Sequence, residues 1–87
     1  MKLILVILRT QDTDAVIRAL IKAEFGVTHI ASTGGFLRKG NATLLIATEE
    51  ERVDQAIELI REVSSPPENG QRRATVFVLN LEAFEKL

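Results

Sequence analysis

The alternation of apolar and polar positions predicts a strand and then a helix at the start of the chain. Residues 3–8 are six consecutive aliphatics bounded by charged residues, a pattern typical of a central strand that is buried on both faces. Residues 13–24 predict a helix that is apolar except for one narrow stripe, formed by Asp14, Arg18 and Lys22. One sheet face cannot cover so much apolar surface, so we expect a second copy of the chain to cover the remainder.

Two strands joined as a hairpin are predicted to follow the first helix. Gly26 is expected at the C′ position that ends this helix. Residues 27–32 alternate between the two faces of a strand, so His29 and Ala31 are expected on the same face. Residues 41–47 then form the returning strand, with a glycine-rich loop at the tip of the hairpin.

The second helix is predicted to start at a capping box, with Thr48 as the N-cap and Glu51 at N3. Apolar residues then recur on one side of the helix: Val53, Ala56, Ile57, Ile60 and Val63. Residues 64–73 contain two prolines and no apolar residue, which predicts a loop. Residues 74–81 form the last strand.

The resulting order, β-α-β-β-α-β, is that of a single ferredoxin-like α+β domain spanning residues 1–87. Right-handed crossovers make its sheet four antiparallel strands with both helices on one face. The other face is left uncovered, which is a second reason to expect an oligomer. The short tail after the last strand is expected to pack Phe84 and Leu87 onto the domain.

Composition excludes several classes of function. The chain has no cysteine and a single histidine, His29, which excludes thiolate chemistry and leaves no catalytic or metal-binding set. A net charge of −1 argues against nucleic-acid binding. The longest apolar run is far below the ~20 residues that span a bilayer, and it is wrongly flanked for a signal peptide. We therefore expect a cytoplasmic protein without a catalytic site, metal or cofactor.

The strongest candidate for chemistry is the segment of residues 25–43, which holds four of the five glycines. It is longer than a two-residue hairpin turn requires, and it lacks the Gly-Lys-Ser/Thr ending of a P-loop. Glycine N–H groups suit an anion, and apolar or aromatic side chains suit a flat base. The candidates for ligand binding are Gly34, Gly35, Phe36, Leu37 and Asn41. The alternative is a loop that packs on a neighbouring subunit.

The same segment resembles the PII-like cyclic di-AMP receptor family. Its motif is Thr-Gly-Gly-Phe-Leu-x-x-Gly-Asn at residues 33–41, accompanied by Arg52-Val53-Asp54 and by Ala-Thr-Val-Phe-Val-Leu at residues 74–79. The resemblance covers nearly the whole chain. It implies a homotrimer that binds cyclic di-AMP, or a related adenine nucleotide, in clefts between subunits. It also implies a role in signal transduction without catalysis, through a downstream protein partner that the sequence does not identify.

The resemblance implies which residues contact the ligand. Phe25 and Thr28 would lie at the base of the cleft, and Phe77 would line it from the last strand. The full set is Phe25, Gly26, Thr28, Gly34, Gly35, Phe36, Leu37, Asn41, Ala47 and Phe77.

The chain differs from the family pattern in three places. The loop at residues 64–73 is shorter than the family's loop, and Ala47 stands where the family has a glycine. The tail ends on Lys86-Leu87 instead of a polar-aromatic pair, and a lysine there would suit a phosphate. The short loop and Ala47 favour an alternative function, a trimeric PII-like module that binds a protein and has lost the nucleotide. A small enzyme or metal-tolerance domain is disfavoured by the missing cysteines.

Overall fold

The computed structural model describes residues 1–33, 40–67 and 72–87 of the chain. Within them the elements follow the predicted order β-α-β-β-α-β, with a 3₁₀ turn before each helix. They are β1 (Lys2–Arg9), a 3₁₀ turn (Thr10–Asp12), α1 (Thr13–Lys22), β2 (Gly26–Thr33), β3 (Asn41–Thr48), a second 3₁₀ turn (Glu50–Arg52), α2 (Val53–Val63) and β4 (Ala74–Asn80). In this described part of the chain, no helix is long and apolar enough to cross a membrane.

The four strands form one antiparallel sheet in the order β2-β3-β1-β4. β1 lies at the centre, as its aliphatic run predicts, with Ile4 opposite Ile46 of β3 and Val78 of β4. Its two faces differ: Ile4, Val6 and Leu8 are buried, whereas Leu3, Leu5 and Ile7 are only partly buried. The prediction of burial on both faces is therefore wrong for a single chain, because both helices cover the same side of the sheet.

The core lies between the helices and the face of the sheet that carries Ile4. α1 contributes Val16 and Leu20 to it, and α2 contributes Ala56 and Ile60. The opposite side, which we call the open face, is covered by neither of the two helices, as the sequence predicts, within the part of the chain that the structure describes. Strand register places on it Leu3, Leu5, Ile7, Gly26, Thr28, Thr43, Leu45, Ala47, Thr75, Phe77 and Leu79.

α1 ends in a Schellman motif centred on Glu24. The N–H of Phe25 donates to the carbonyl of Leu20 at 2.9 Å, and the N–H of Glu24 donates to that of Ile21 at 2.8 Å; these two bonds define the motif. Glu24 occupies the C′ position, with φ at 69°. The prediction that Gly26 is C′ is wrong, because the helix stops early enough for Phe25 to join Leu20 in the core.

Neither helix has a side-chain cap within the residues that the structure describes. The predicted capping box of Thr48 and Glu51 is wrong. Thr48 is the last residue of β3, where it pairs with Lys2 and is buried, so its hydroxyl is on a strand and not at a helix start. A 3₁₀ turn then intervenes before α2.

A polar cluster, which we call the Arg9–Asp12 clamp, comprises the buried residues Arg9 and Asp12 together with Ser65 and Pro66 at the surface. Arg9 and Asp12 form an ion pair of 3.1 Å with their side chains 11% and 4% exposed. Arg9 also donates to the carbonyls of Ser65 and Pro66, and Ser65 donates its N–H and hydroxyl to Asp12 at 3.2 and 2.7 Å. The clamp joins the β1–α1 connection to the residues that follow α2.

β2 carries a bulge between His29 and Ala31. Thr28 pairs with Leu45, and Ala31 pairs with Thr43, which lies on the same face as Leu45. This shift in register interrupts the regular two-residue alternation that the sequence predicts for β2. β2 is an edge strand, and edge strands accommodate bulges because they pair on one side only.

Candidate functional site

A cavity of about 600 Å³ lies between the open face and the C-terminal tail. Its floor comes from the first three strands and its wall from the tail, residues 81–87. The described residues that line it are Leu3, Gly26, Val27, Thr28, Leu45, Ala47, Leu81, Phe84, Glu85 and Lys86. We call it the open-face cavity. Its volume is within the range of ordinary small-molecule sites, roughly 300–1,000 Å³.

The floor of the cavity is low because two small residues lie side by side. Gly26 of β2 pairs directly with Ala47 of β3. A Cβ added to Gly26 would meet nothing within 4 Å, so neither packing nor a close contact inside this chain requires a glycine there. The missing side chain instead leaves space above the floor, in a position where a ligand or another subunit would fit. Thr28, one pair further along the strand, presents an exposed hydroxyl beside this space.

The tail supplies an aromatic ring and charges to the wall. It leaves β4 held by the N–H of Leu81, which donates to the carbonyl of Met1 at 3.1 Å. The expectation that Phe84 and Leu87 pack onto the domain is wrong, because Phe84 is 51% exposed and Leu87 is fully exposed. Phe84 instead borders the cavity together with Glu85 and Lys86. An exposed aromatic next to a cation suits a base joined to a phosphate.

Phe25 lies on the other side of the sheet from the cavity. Its side chain is 4% exposed and belongs to the core, and the guanidinium of Arg52 lies 3.9 Å from the centre of its ring. The predicted contact between the Phe25 side chain and a ligand therefore does not arise in the open-face cavity.

Asn41 and Phe77 are separated from the cavity. Asn41 is the first residue of β3 and is exposed. It precedes Ala47 by six residues on one strand, which is about 20 Å at the rise of a β-strand. Phe77 is 49% exposed on the open face, opposite Leu5, but it is not among the described lining residues. The predicted site residues that fall outside the described ranges are Gly34, Gly35, Phe36 and Leu37.

The structure thus unites Gly26, Thr28 and Ala47 of the predicted set in one cavity. It adds Phe84, which the sequence analysis did not assign to the site. An aromatic residue in a charged tail is the only signal in the sequence that could have indicated it. The described residues contain no group of His, Cys, Asp and Glu side chains that could hold a metal ion. The described lining is apolar apart from Thr28, Glu85 and Lys86.

Comparison with known proteins supports the fold and the resemblance. The crystal structure of a functionally unknown protein from Pediococcus pentosaceus matches with a TM-score of 0.79 and 33% identity, over 99% of this chain and 96% of that chain. The match therefore includes β4 and the tail. The family model described as cyclic-di-AMP receptor matches residues 1–69, from β1 through α2. The resemblance drawn from the motif at residues 33–41 is confirmed: the chain belongs to the cyclic-di-AMP receptor family.

Proposed function

We propose that the protein is a non-enzymatic signal-transduction receptor that binds cyclic di-AMP between the subunits of a homotrimer. Membership of the receptor family supports the ligand class. The assignment to a site rests on the floor of the open-face cavity, where Gly26 beside Ala47 leaves space that none of the described residues fills.

The residues of the cavity suit the parts of such a ligand. An adenine ring lies flat on the small residues Gly26 and Ala47, and Phe84 stacks against its other side. Base–aromatic stacking contributes about 1–3 kcal/mol for each base. Thr28 offers a hydroxyl to the base or the ribose, and Lys86 places a positive charge near a phosphate, with which an ammonium group interacts as a point charge.

Two features support a site shared between subunits. Asn41 lies about 20 Å from Ala47 along β3, so one chain supplies two separate half-sites, one at each end of the strand. The open face also retains exposed apolar side chains, with Phe77 at 49% and Leu79 at 47%, and apolar surface of this kind marks interaction sites. Packing open faces together brings the Asn41 end of one subunit near the cavity of the next. The family resemblance supports three subunits.

Calorimetric titration of the purified protein tests the proposal, with cyclic di-AMP, cyclic di-GMP and ATP as ligands. We expect cyclic di-AMP to bind with one ligand per subunit and more tightly than either of the others. No heat with any of the three contradicts the proposal. In that event a trimer by light scattering would leave the protein-interaction module of the sequence analysis as the function.

A further inference from the structure

Arg52 connects the second half of the chain to the turn between α1 and β2. It is the last residue of the 3₁₀ turn that precedes α2. Its Nη2 donates to the carbonyl of Ala23 at 2.8 Å, and its guanidinium lies 3.9 Å from the centre of the Phe25 ring. Its orientation is set by Gln55, whose side-chain oxygen accepts from Nη2 at 3.2 Å and from Nε at 3.4 Å.

The turn that Arg52 holds leads directly into the floor of the open-face cavity. Ala23 and Phe25 flank Glu24, which has the positive φ of 69° that side-chain-bearing residues seldom adopt. Gly26, the next residue, is both the start of β2 and part of the floor. β2 is an edge strand that pairs only with β3, so its first residues are held on one side by β3 and at their beginning by this turn.

We infer that Arg52 is a positioning residue for the ligand site. It acts through the Ala23 carbonyl and the Phe25 ring to fix the position of Gly26 and Thr28 at the start of β2. Phe25 shares this role, since its buried ring carries the contact to Arg52. A planar guanidinium can stack on a ring and donate sideways at once, which a lysine ammonium cannot do. The inference rests on the proposed function.

The test compares Arg52→Gln and Arg52→Lys with a matched control, Arg61→Gln. Arg61 lies on α2, whereas Arg52 lies in the turn before it. Arg61 forms an exposed ion pair with Glu58, with side chains 59% and 54% exposed. At a temperature where every variant is folded, we expect Arg52→Gln to raise the Kd for cyclic di-AMP about tenfold with unchanged stoichiometry. Arg52→Lys retains the charge over the ring and has a smaller effect, and Arg61→Gln changes Kd by less than about twofold.

Amide NMR spectra of the ligand-free variants provide a second readout. We expect Arg52→Gln to shift the amide resonances of residues 26–28 and to speed their hydrogen exchange, while Arg61→Gln leaves them in place. A lower melting temperature with unchanged Kd and unchanged amides at residues 26–28 overturns the inference, since Arg52 would then only stabilise the fold.

Two further outcomes are informative. If wild type binds no cyclic di-AMP, the proposed function fails, and the amide comparison still decides whether Arg52 positions the floor. If Arg52→Gln does not fold, Phe25→Leu takes its place, because leucine keeps an apolar side chain that fills most of the volume but removes the ring. The same amide shifts are expected in Phe25→Leu, and their absence overturns the inference.

Discussion

At the scale of single residues, the positive φ at the end of α1 falls on Glu24 and not on the nearby Gly26. Glu24 carries a positive φ of 69°, the conformation for which glycine is usually chosen. Gly26, two residues later, starts a strand in which a Cβ would meet nothing within 4 Å. The missing side chain of Gly26 therefore enlarges the cavity and is not needed for the backbone conformation. Glu24 adopts an unfavourable φ because α1 ends before Gly26.

Replacing Gly26 by alanine separates folding from binding. We expect Gly26→Ala to fold with equal or slightly higher stability, by up to about 1 kcal/mol, since glycine weakens a strand. We expect its affinity for cyclic di-AMP to fall at least about tenfold, because the new methyl group occupies the space above the floor. Thermal melts and calorimetric titration measure the two effects. Unchanged affinity would show that the ligand does not bind on this floor. Ala47→Gly is the matched control, which deepens the floor and is expected to preserve or tighten binding.

Replacing Glu24 by glycine tests the cost of the Schellman motif. We expect Glu24→Gly to stabilise the fold by about 1 kcal/mol, because glycine adopts a positive φ without a steric penalty. Urea denaturation measures the difference. Glu24→Ala keeps the Cβ and should bring no such gain, so equal stabilisation by both variants would contradict this explanation.

At the scale of elements, the Arg9–Asp12 clamp explains how the connection before α1 is attached to the end of α2. Asp12 occupies the N-cap position of α1, where an aspartate side chain commonly accepts a hydrogen bond from the first turn of the helix. Its carboxylate makes no cap bond, because it is engaged by Arg9 and Ser65 instead. Asp12 is distant in sequence from Ser65, so no local pattern could show this contact.

The substitution Asp12→Asn distinguishes a cap from an ion pair. Asparagine and aspartate cap helices about equally well, so a capping role predicts almost no change. The clamp predicts a loss of about 3–5 kcal/mol, because the buried Arg9 guanidinium loses its counter-charge. Denaturant unfolding measures the loss. Glu58→Gln, which breaks the exposed pair with Arg61, is the control and should cost less than about 1 kcal/mol. A similarly small loss for Asp12→Asn would contradict the role of the clamp.

At the scale of the whole molecule, the open face is the apolar surface that the described part of a single chain leaves exposed. The core occupies the other side of the sheet, and β4 presents exposed apolar residues on the edge. A domain of 87 residues buries a modest share of its surface, and association would bury more of it. The proposed trimer assigns the open face to that contact.

Charge introduced on the open face tests the proposed assembly. We expect Leu79→Lys to yield a folded monomer of 9.6 kDa, since the side chain is 47% exposed in the single chain and lysine is tolerated there when no partner covers it. Light scattering gives the mass, and circular dichroism checks the fold. Val78→Lys is the matched control, on the same strand and 44% exposed but opposite Ile4 on the helix side. Assembly lost equally in both variants, or in neither, would contradict an interface on the open face.

Much of the fold follows from the sequence because its elements depend on local periodicity. The aliphatic run of β1 and the one-sided stripe of α2 predict a strand and a helix without reference to the rest of the chain. The ends and irregularities of the strands are harder to predict from the sequence. Thr48 extends β3 because Lys2 lies opposite it, and the bulge in β2 depends on its pairing with β3. These are properties of contacts between elements, which a local pattern does not contain.

The sequence by itself therefore determined the order of the elements, the uncovered sheet face and, through the contiguous motif at residues 33–41, the family. Only the tertiary structure decided which residues meet. Strand pairing brings Gly26 beside Ala47, and the path of the tail places Phe84 at the same cavity. Arg52, in the turn before α2, contacts Phe25, in the turn before β2. These residues lie far apart in the chain, and their contacts exist because burial of one apolar sheet face fixes how the separate elements pack.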